Sequence, residues 1–349
     1  MTLARSPGGP VLIEEAGVKL TPLGHGSGSR QVAPIGPAGT PRRPRPSRSR
    51  RRPKLLCAVL LGAAVLATAC GAGSPTGSGM PTSNPASSIP RMSFPPLAAG
   101  PCADDQPDRY VAEIFDVAAV ETLTYTDSLQ ADLYRPAQDP ATCRVGVVWV
   151  HGGGFTQASR DGTAEQAWGA QLARRGYLLA SIDYRLGTGQ PFGLDQALAD
   201  PQRRAVVDGA IADAAAALAW MTDAATELGV DPARVAIGGT SAGGVIALGA
   251  GLTAADGARP CTIVSVAGDL DGGWVGADPP PVLLIHGDAD HLVPYTSSVD
   301  ARSVLTGNGG TAEPVTIAGA GHEITGPPTD EMVSRTAGWL REQAAAGCR

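Results

Sequence analysis

The stretch VAIGGTSAGGVIALGAG, Val235–Gly251, reads as three pieces in a row. A short apolar strand comes first, a glycine-bracketed serine second, and an apolar helix third. Gly239-Thr240-Ser241-Ala242-Gly243 is a G-x-S-x-G pattern, which in a strand-to-helix context holds the serine on a sharp, strained turn. Small residues two before and two after Ser241 keep that turn free of collisions, and Gly244 lets the helix start pack closely. The chain has 46 glycines, so the pattern alone can arise by chance. What surrounds it decides its meaning.

A serine nucleophile needs a base, an acid that orients the base, and donors for the oxyanion. Four histidines follow residue 100: His151, His286, His291 and His322. His322, in AGAGHE, stands in a loop before the last helical segment, where it can reach the serine. His286 and His291 read as structural or surface residues, and His151 as an organiser of its own loop. The acid comes from LLIHGDADHLVP, just past an apolar strand, where Asp290 stands with Asp288 as the competing carboxylate. HGGGF, at the end of VGVVWV, supplies backbone N–H groups at Gly153 and Gly154, and Ala242 supplies a third. A phosphate-binding role for that glycine loop would need a basic partner it lacks.

The remaining pattern is alternating. VGVVWVHGGG, YLLASIDYRL, RVAIGG, TIVSVAG, PVLLIHG and PVTIAG are continuous apolar runs, expected of strands buried on both faces. AEQAWGAQLARRG, the alanine-rich DGAIADAAAALAWMTDAATELG, AGGVIALGAGL and TDEMVSRTAGWLREQAA read as helices, the first two stopped by Gly176 and Gly229. Residues 110–135 read as one or two leading antiparallel strands. Strands alternating with helices predict an α/β class with a mostly parallel central sheet. Four strand ends carry the chemistry, as such sheets place it.

In HGGGF, DYRL and GTSAGG, residues 110–345 resemble the α/β-hydrolase superfamily, and in particular its carboxylesterases, the hormone-sensitive-lipase-like and acetyl-esterase groups. The order Ser241, Asp290, His322 matches theirs, and their HG-x-x-D-x-x-VP segments select Asp290 over Asp288. The resemblance implies a serine esterase working through an acyl-enzyme on carboxylic esters, short acyl or acetyl esters first, without a cofactor. A peptidase or amidase of the same fold, or a catalytically silent surface-binding module, is the alternative. Thr240 stands where the lipase-like group has Asp. The segment before the sheet is too short for that group's helical cap, so no large cap domain and an open, shallow site are expected. Loops 186–202 and 269–280 are the expected pocket walls, with Phe155, Phe192 and Trp274 as apolar substrate contacts.

Composition excludes several classes. The only lysines are Lys19 and Lys54, so a domain processed after them has no P-loop lysine, no Schiff-base lysine and no lysine base. Residues 1–54 hold 11 of the 27 basic residues. From Cys70 onward 16 basic residues face 31 acidic ones, a net charge near −15. That balance argues against nucleic-acid binding. No Cys/His spacing fits a metal site.

Four regions are expected. Residues 1–54 form a basic Pro/Gly/Arg-rich leader. Residues 55–70, LLCAVLLGAAVLATAC, form a signal-peptide hydrophobic run ending in a lipobox-like site with Cys70 as the lipidated residue. Residues 71–100 form a Gly/Ser/Pro tether, and residues 101–349 form the catalytic domain. The expectation is an exported protein, lipid-anchored at the cell envelope or secreted. Cys102, Cys143, Cys261 and Cys348 remain in the domain, and an even number after export suggests two disulfides with three possible pairings. Cys102–Cys143 and Cys261–Cys348 are favoured, pinning the first segment and the last helix.

Overall fold

The computed structural model describes residues 108–346, apart from residue 256. The leader, the signal-peptide run with Cys70, the tether, Cys102 and Cys348 lie outside the described residues. Among the described residues eight strands form one sheet: β1 Glu121–Thr124, β2 Gln130–Tyr134, β3 Arg144–Val150, β4 Leu178–Ile182, β5 Val230–Thr240, β6 Ile263–Val266, β7 Val282–Gly287 and β8 Ala312–Ile317. Their spatial order is β1-β2-β4-β3-β5-β6-β7-β8. β1 and β2 are antiparallel, as is the β2–β4 pair, and every other pair is parallel.

Among the described residues seven helices connect them: α1 Thr163–Arg174, α2 Leu194–Ala199, α3 Pro201–Asp223, α4 Ala225–Leu228, α5 Ala242–Leu252, α6 Thr296–Gly307 and α7 Asp330–Ala346. All seven residues of β3 are buried, because helices cover both sheet faces. Its alternate side chains divide between two cores. Val145, Val147 and Trp149 pack with Trp168 and Leu172 of α1 and with Met332, Val333 and Leu340 of α7. Val148 and Val150 join the core built by α3, α5 and α6. Edge strand β8 is buried only at every third residue or so, in keeping with its single sheet neighbour.

The chain leaves β3 for β4 on one side and returns through α3 to β5 on the other. The connections therefore diverge at β3, and a crevice forms beyond the carboxyl ends of β3 and β5.

Several helical expectations need correction. The alanine-rich helix starts earlier, at Pro201, where the Asp200 side chain accepts the Gln202 N–H and proline occupies the first turn. It also breaks at Ala224, and the short α4 then ends at Gly229 with a left-handed φ of 69°. α2 lies inside the segment expected to be a loop. The predicted Cys261–Cys348 link is overturned, since Cys261 is a buried free thiol. What fastens the last helix here is the Trp339 indole N–H, donating to Thr262 Oγ1 at 2.7 Å next to that cysteine. Cys143 is disulfide-bonded, with its partner outside the described residues.

Candidate active site

Ser241 sits between β5 and α5 with φ 53° and ψ −121°, a conformation that non-glycine residues seldom adopt. Its N–H is held by Val266 O at 2.8 Å, and its carbonyl accepts from Val245 N. The turn is possible because its neighbours lack side chains. A Cβ on Gly243 would lie 2.1 Å from Val150 O, and one on Gly239 would lie 2.5 Å from Gly243 O. Strain at the serine is thus maintained by close backbone packing on β3.

Ser241 Oγ lies 2.9 Å from His322 Nε2, and His322 Nδ1 lies 2.7 Å from Asp290 Oδ2. The second contact places the proton on Nδ1, which leaves Nε2 free to accept from the serine. His322 opens a 3₁₀ turn after β8. It reaches the serine because Gly287, at the end of β7, admits the backbone of residues 320 and 321. A Cβ there would lie 2.2 Å from Ala320 O. Asp290 is buried, and its Oδ1 accepts the Leu292 and Val293 N–H groups at 2.8 and 3.0 Å. Burial pushes its pKa up, but the bonds from His322 and the two backbone amides outweigh this and hold it below the usual carboxylate range. The competing Asp288 is spent elsewhere, accepting the Gly319 N–H at 2.6 Å.

Gly152, Gly153 and Gly154 pass beside the serine, with the Cβ position of Gly152 only 3.3 Å from Ser241 Cβ. Gly153 and Gly154 take φ values of +99° and +56°. Among the described residues, no acceptor takes the N–H of Gly153 or Gly154. Ala242 opens α5, where the first N–H groups have no intrahelical acceptor. Tyr184 secures this loop, donating its hydroxyl to His151 O and Gly152 O at 3.2 and 3.1 Å and stacking on the His151 ring. Burial lowers the His151 pKa, so that imidazole is neutral packing beneath the loop. Tyr184 belongs to DYRL, so its sequence signal was present, but its role was not readable there.

These groups line one cavity of about 880 Å³ that contains Ser241, His322, Ala242 and Gly152–Gly154. Such a volume is within the range of small-molecule sites. Phe155 and Phe192 reach it as a stacked pair, ring centroids 5.1 Å apart. Trp274 does not line it. It is buried in the 3₁₀ turn Gly272–Trp274, packed beside α5 with the Arg204 guanidinium over its ring. The wall instead includes Pro191–Gln196, with the start of α2, and Leu292–Pro294. His286 lies beneath Asp290, whereas His291 is exposed.

A family profile, BD-FAE, matches residues 131–264. A carbohydrate esterase from gut microbiota, in truncated form, superposes with a TM-score of 0.55 at 21% identity, over 67% of this chain and 99% of that one. This is the α/β-hydrolase fold. Thermogutta terrifontis esterase 2 in its butyrate-bound structure shares it, with a TM-score of 0.51 at 21% identity over 65% and 93% of the two chains. Among curated relatives, carboxylesterase NlhH of Mycobacterium tuberculosis is 35% identical over 102 residues, 29% of this chain and 26% of the relative. Ethyl acetate hydrolase of Pseudomonas putida is 34% identical over 122 residues, 34% and 33% of the two chains. The alignment therefore spans about a quarter to a third of each relative's length.

Proposed function

We propose that the protein is a serine hydrolase of carboxylic esters, with short acyl groups as its first substrates. The observation that carries this reading is the hydrogen-bonded chain from Ser241 through His322, both on the cavity wall, to the buried Asp290. His322 Nε2 takes the Ser241 proton as Oγ attacks the ester carbonyl, and Asp290 stabilises the imidazolium that forms. The N–H groups of Gly153, Gly154 and Ala242 meet the oxyanion. His322 then protonates the leaving alcohol, and water cleaves the acyl-enzyme by the same route. Relatives named as a carboxylesterase and an ethyl acetate hydrolase support ester chemistry. The butyrate bound to the Thermogutta esterase supports a short acyl group.

The test is labelling with a fluorophosphonate probe alongside turnover of p-nitrophenyl butyrate. Wild type is expected to label and to release p-nitrophenol, and Ser241→Ala to do neither while retaining its melting temperature. Turnover that survives in Ser241→Ala would refute the assignment. Faster cleavage of the matched anilide would turn the reading to an amidase, and a folded protein that neither labels nor turns over would turn it to a binding module. The apolar run before Cys70 supports export with a lipid anchor on that cysteine. Mass spectrometry of the membrane fraction would test this by finding, or failing to find, an acylated Cys70.

A further inference from the structure

The cavity that holds Ser241 carries a charge pattern that the ester-hydrolase reading does not use. Its lining includes three carboxylates, Glu165, Asp195 and Asp269, and no arginine or lysine. Glu165 differs from the other two. It is only 5% exposed, yet it reaches the cavity from the first turn of α1. Its side chain folds back against Gly162, where a Cβ would come 2.3 Å from Glu165 Oε2. Among the described residues its own backbone N–H donates to its carboxyl, and the charge that acts on it is another carboxylate, Asp161. A buried carboxyl held by one backbone N–H, with no cation beside it, keeps hydrogen-bonding capacity for a ligand in the cavity it lines.

Resting on the ester-hydrolase reading, we infer that Glu165 is a specificity-determining residue that receives a hydroxyl of the substrate, so that the cavity selects hydroxyl-bearing esters and rejects carboxylate-bearing ones. Burial raises the Glu165 pKa, which favours its protonated form. A neutral carboxyl both donates and accepts, matching the two-way capacity of a hydroxyl. A substrate carboxylate would meet Asp195 and Asp269 with no cation in the lining to offset them. A helix-capping role explains why the side chain turns back toward Gly162, but not why it opens onto the cavity.

The experiment compares matched esters on the full chain by following acid release at constant pH. Glycerol monobutyrate is set against propyl butyrate for the alcohol side. Ethyl 3-hydroxybutyrate is set against ethyl butyrate for the acyl side, with monoethyl succinate as the anionic case. Wild type is expected to prefer the hydroxylated member of one pair by about tenfold in kcat/KM, the yield of one good hydrogen bond, and to cleave monoethyl succinate worst. In Glu165→Leu the ratio within that pair should collapse to near one. Glu165→Gln, which keeps a donor and an acceptor, should retain part of it and also serves if the leucine variant fails to fold. A capping role alone would change all rates together and leave the ratio intact. A wild-type ratio near one in both pairs, or a ratio that survives in both variants, overturns the inference while leaving ester hydrolysis standing. A wild type that cleaves none of the esters overturns the hydrolase reading and this inference with it.

Discussion

Two histidines approach the same carboxylate from two regions of the molecule, and they are built for opposite purposes. His286 stands one residue before the end of β7 and is fully buried, with Nε2 3.5 Å from Asp290 Oδ2. Its Nε2–H donates to Val293 O at 3.0 Å, and its Nδ1 accepts from the Ser298 hydroxyl at 2.6 Å. Burial lowers its pKa. His322 comes from the loop after β8, keeps a 19% exposed side chain, and contacts the same oxygen at 2.7 Å. Both nitrogens of His286 are committed to scaffold, whereas one nitrogen of His322 faces a serine in a cavity. Proximity to the acid therefore does not identify the base. What separates the two is Nε2, held by Val293 O in His286 and set against Ser241 Oγ in His322.

The contrast can be broken in order of effect. The largest effect is expected from His322→Ala, with kcat on p-nitrophenyl butyrate falling about 10⁴-fold or more while stability changes by about 1 kcal/mol or less. Asp290→Asn should cost a comparable factor in rate by upsetting the tautomer of His322. Because the Asp290 pKa is depressed in the folded state, its contribution to stability is present above about pH 3.9 and lost as pH falls through its lower folded value. The asparagine variant should therefore lose less stability over that acid range, as read by urea melts.

His286→Ala should invert the first result. Stability falls by about 2–4 kcal/mol, because Ser298 and Val293 lose buried partners and a cavity opens, while kcat stays within about tenfold. Chemical denaturation paired with steady-state kinetics would check it, and a 10⁴-fold rate loss in a folded variant would erase the distinction between the two histidines. The smallest effect is a slope. His286 and His151 have lowered folded pKa values, so the unfolded chain binds their protons first as pH falls below about 6.5. Stability is therefore full above that pH and declines below it, by at most about 1.4 kcal/mol per pH unit for each group. His286→Gln should remove its share of the slope between pH 7 and 5. An unchanged slope would place the proton uptake elsewhere.

Legibility followed the range of the forces involved. The turn at Ser241 was readable because a strained backbone needs glycine within two residues on either side. The strands β3, β4, β5 and β7 were readable because burial on both faces demands unbroken apolar runs. The start of α3 was legible in principle, since Asp200-Pro201 is a capping signal, but the apolar pattern drew the reading further along the helix. α2 offers only six residues and a glycine N-cap, too little for a period to show. Trp274 and Phe192 look equivalent in a row of letters. Arg204 and α5 take one, and the cavity takes the other. Cys261 has a partner by counting cysteines and none by geometry.

The sequence by itself determined the class of sheet, the order of serine, acid and histidine, the glycine loop beside them, and the absence of lysine from everything after residue 54. These follow from backbone sterics, hydrophobic periodicity and composition, which act over a few neighbouring residues or over none at all. Tertiary structure alone decided that Asp288 is taken by the Gly319 N–H, that His286 is locked beneath Asp290, and that Glu165 opens onto the cavity without a cation. Each of those depends on side chains distant in sequence competing for one buried space, where the partner that arrives, and the water that is excluded, set the chemistry.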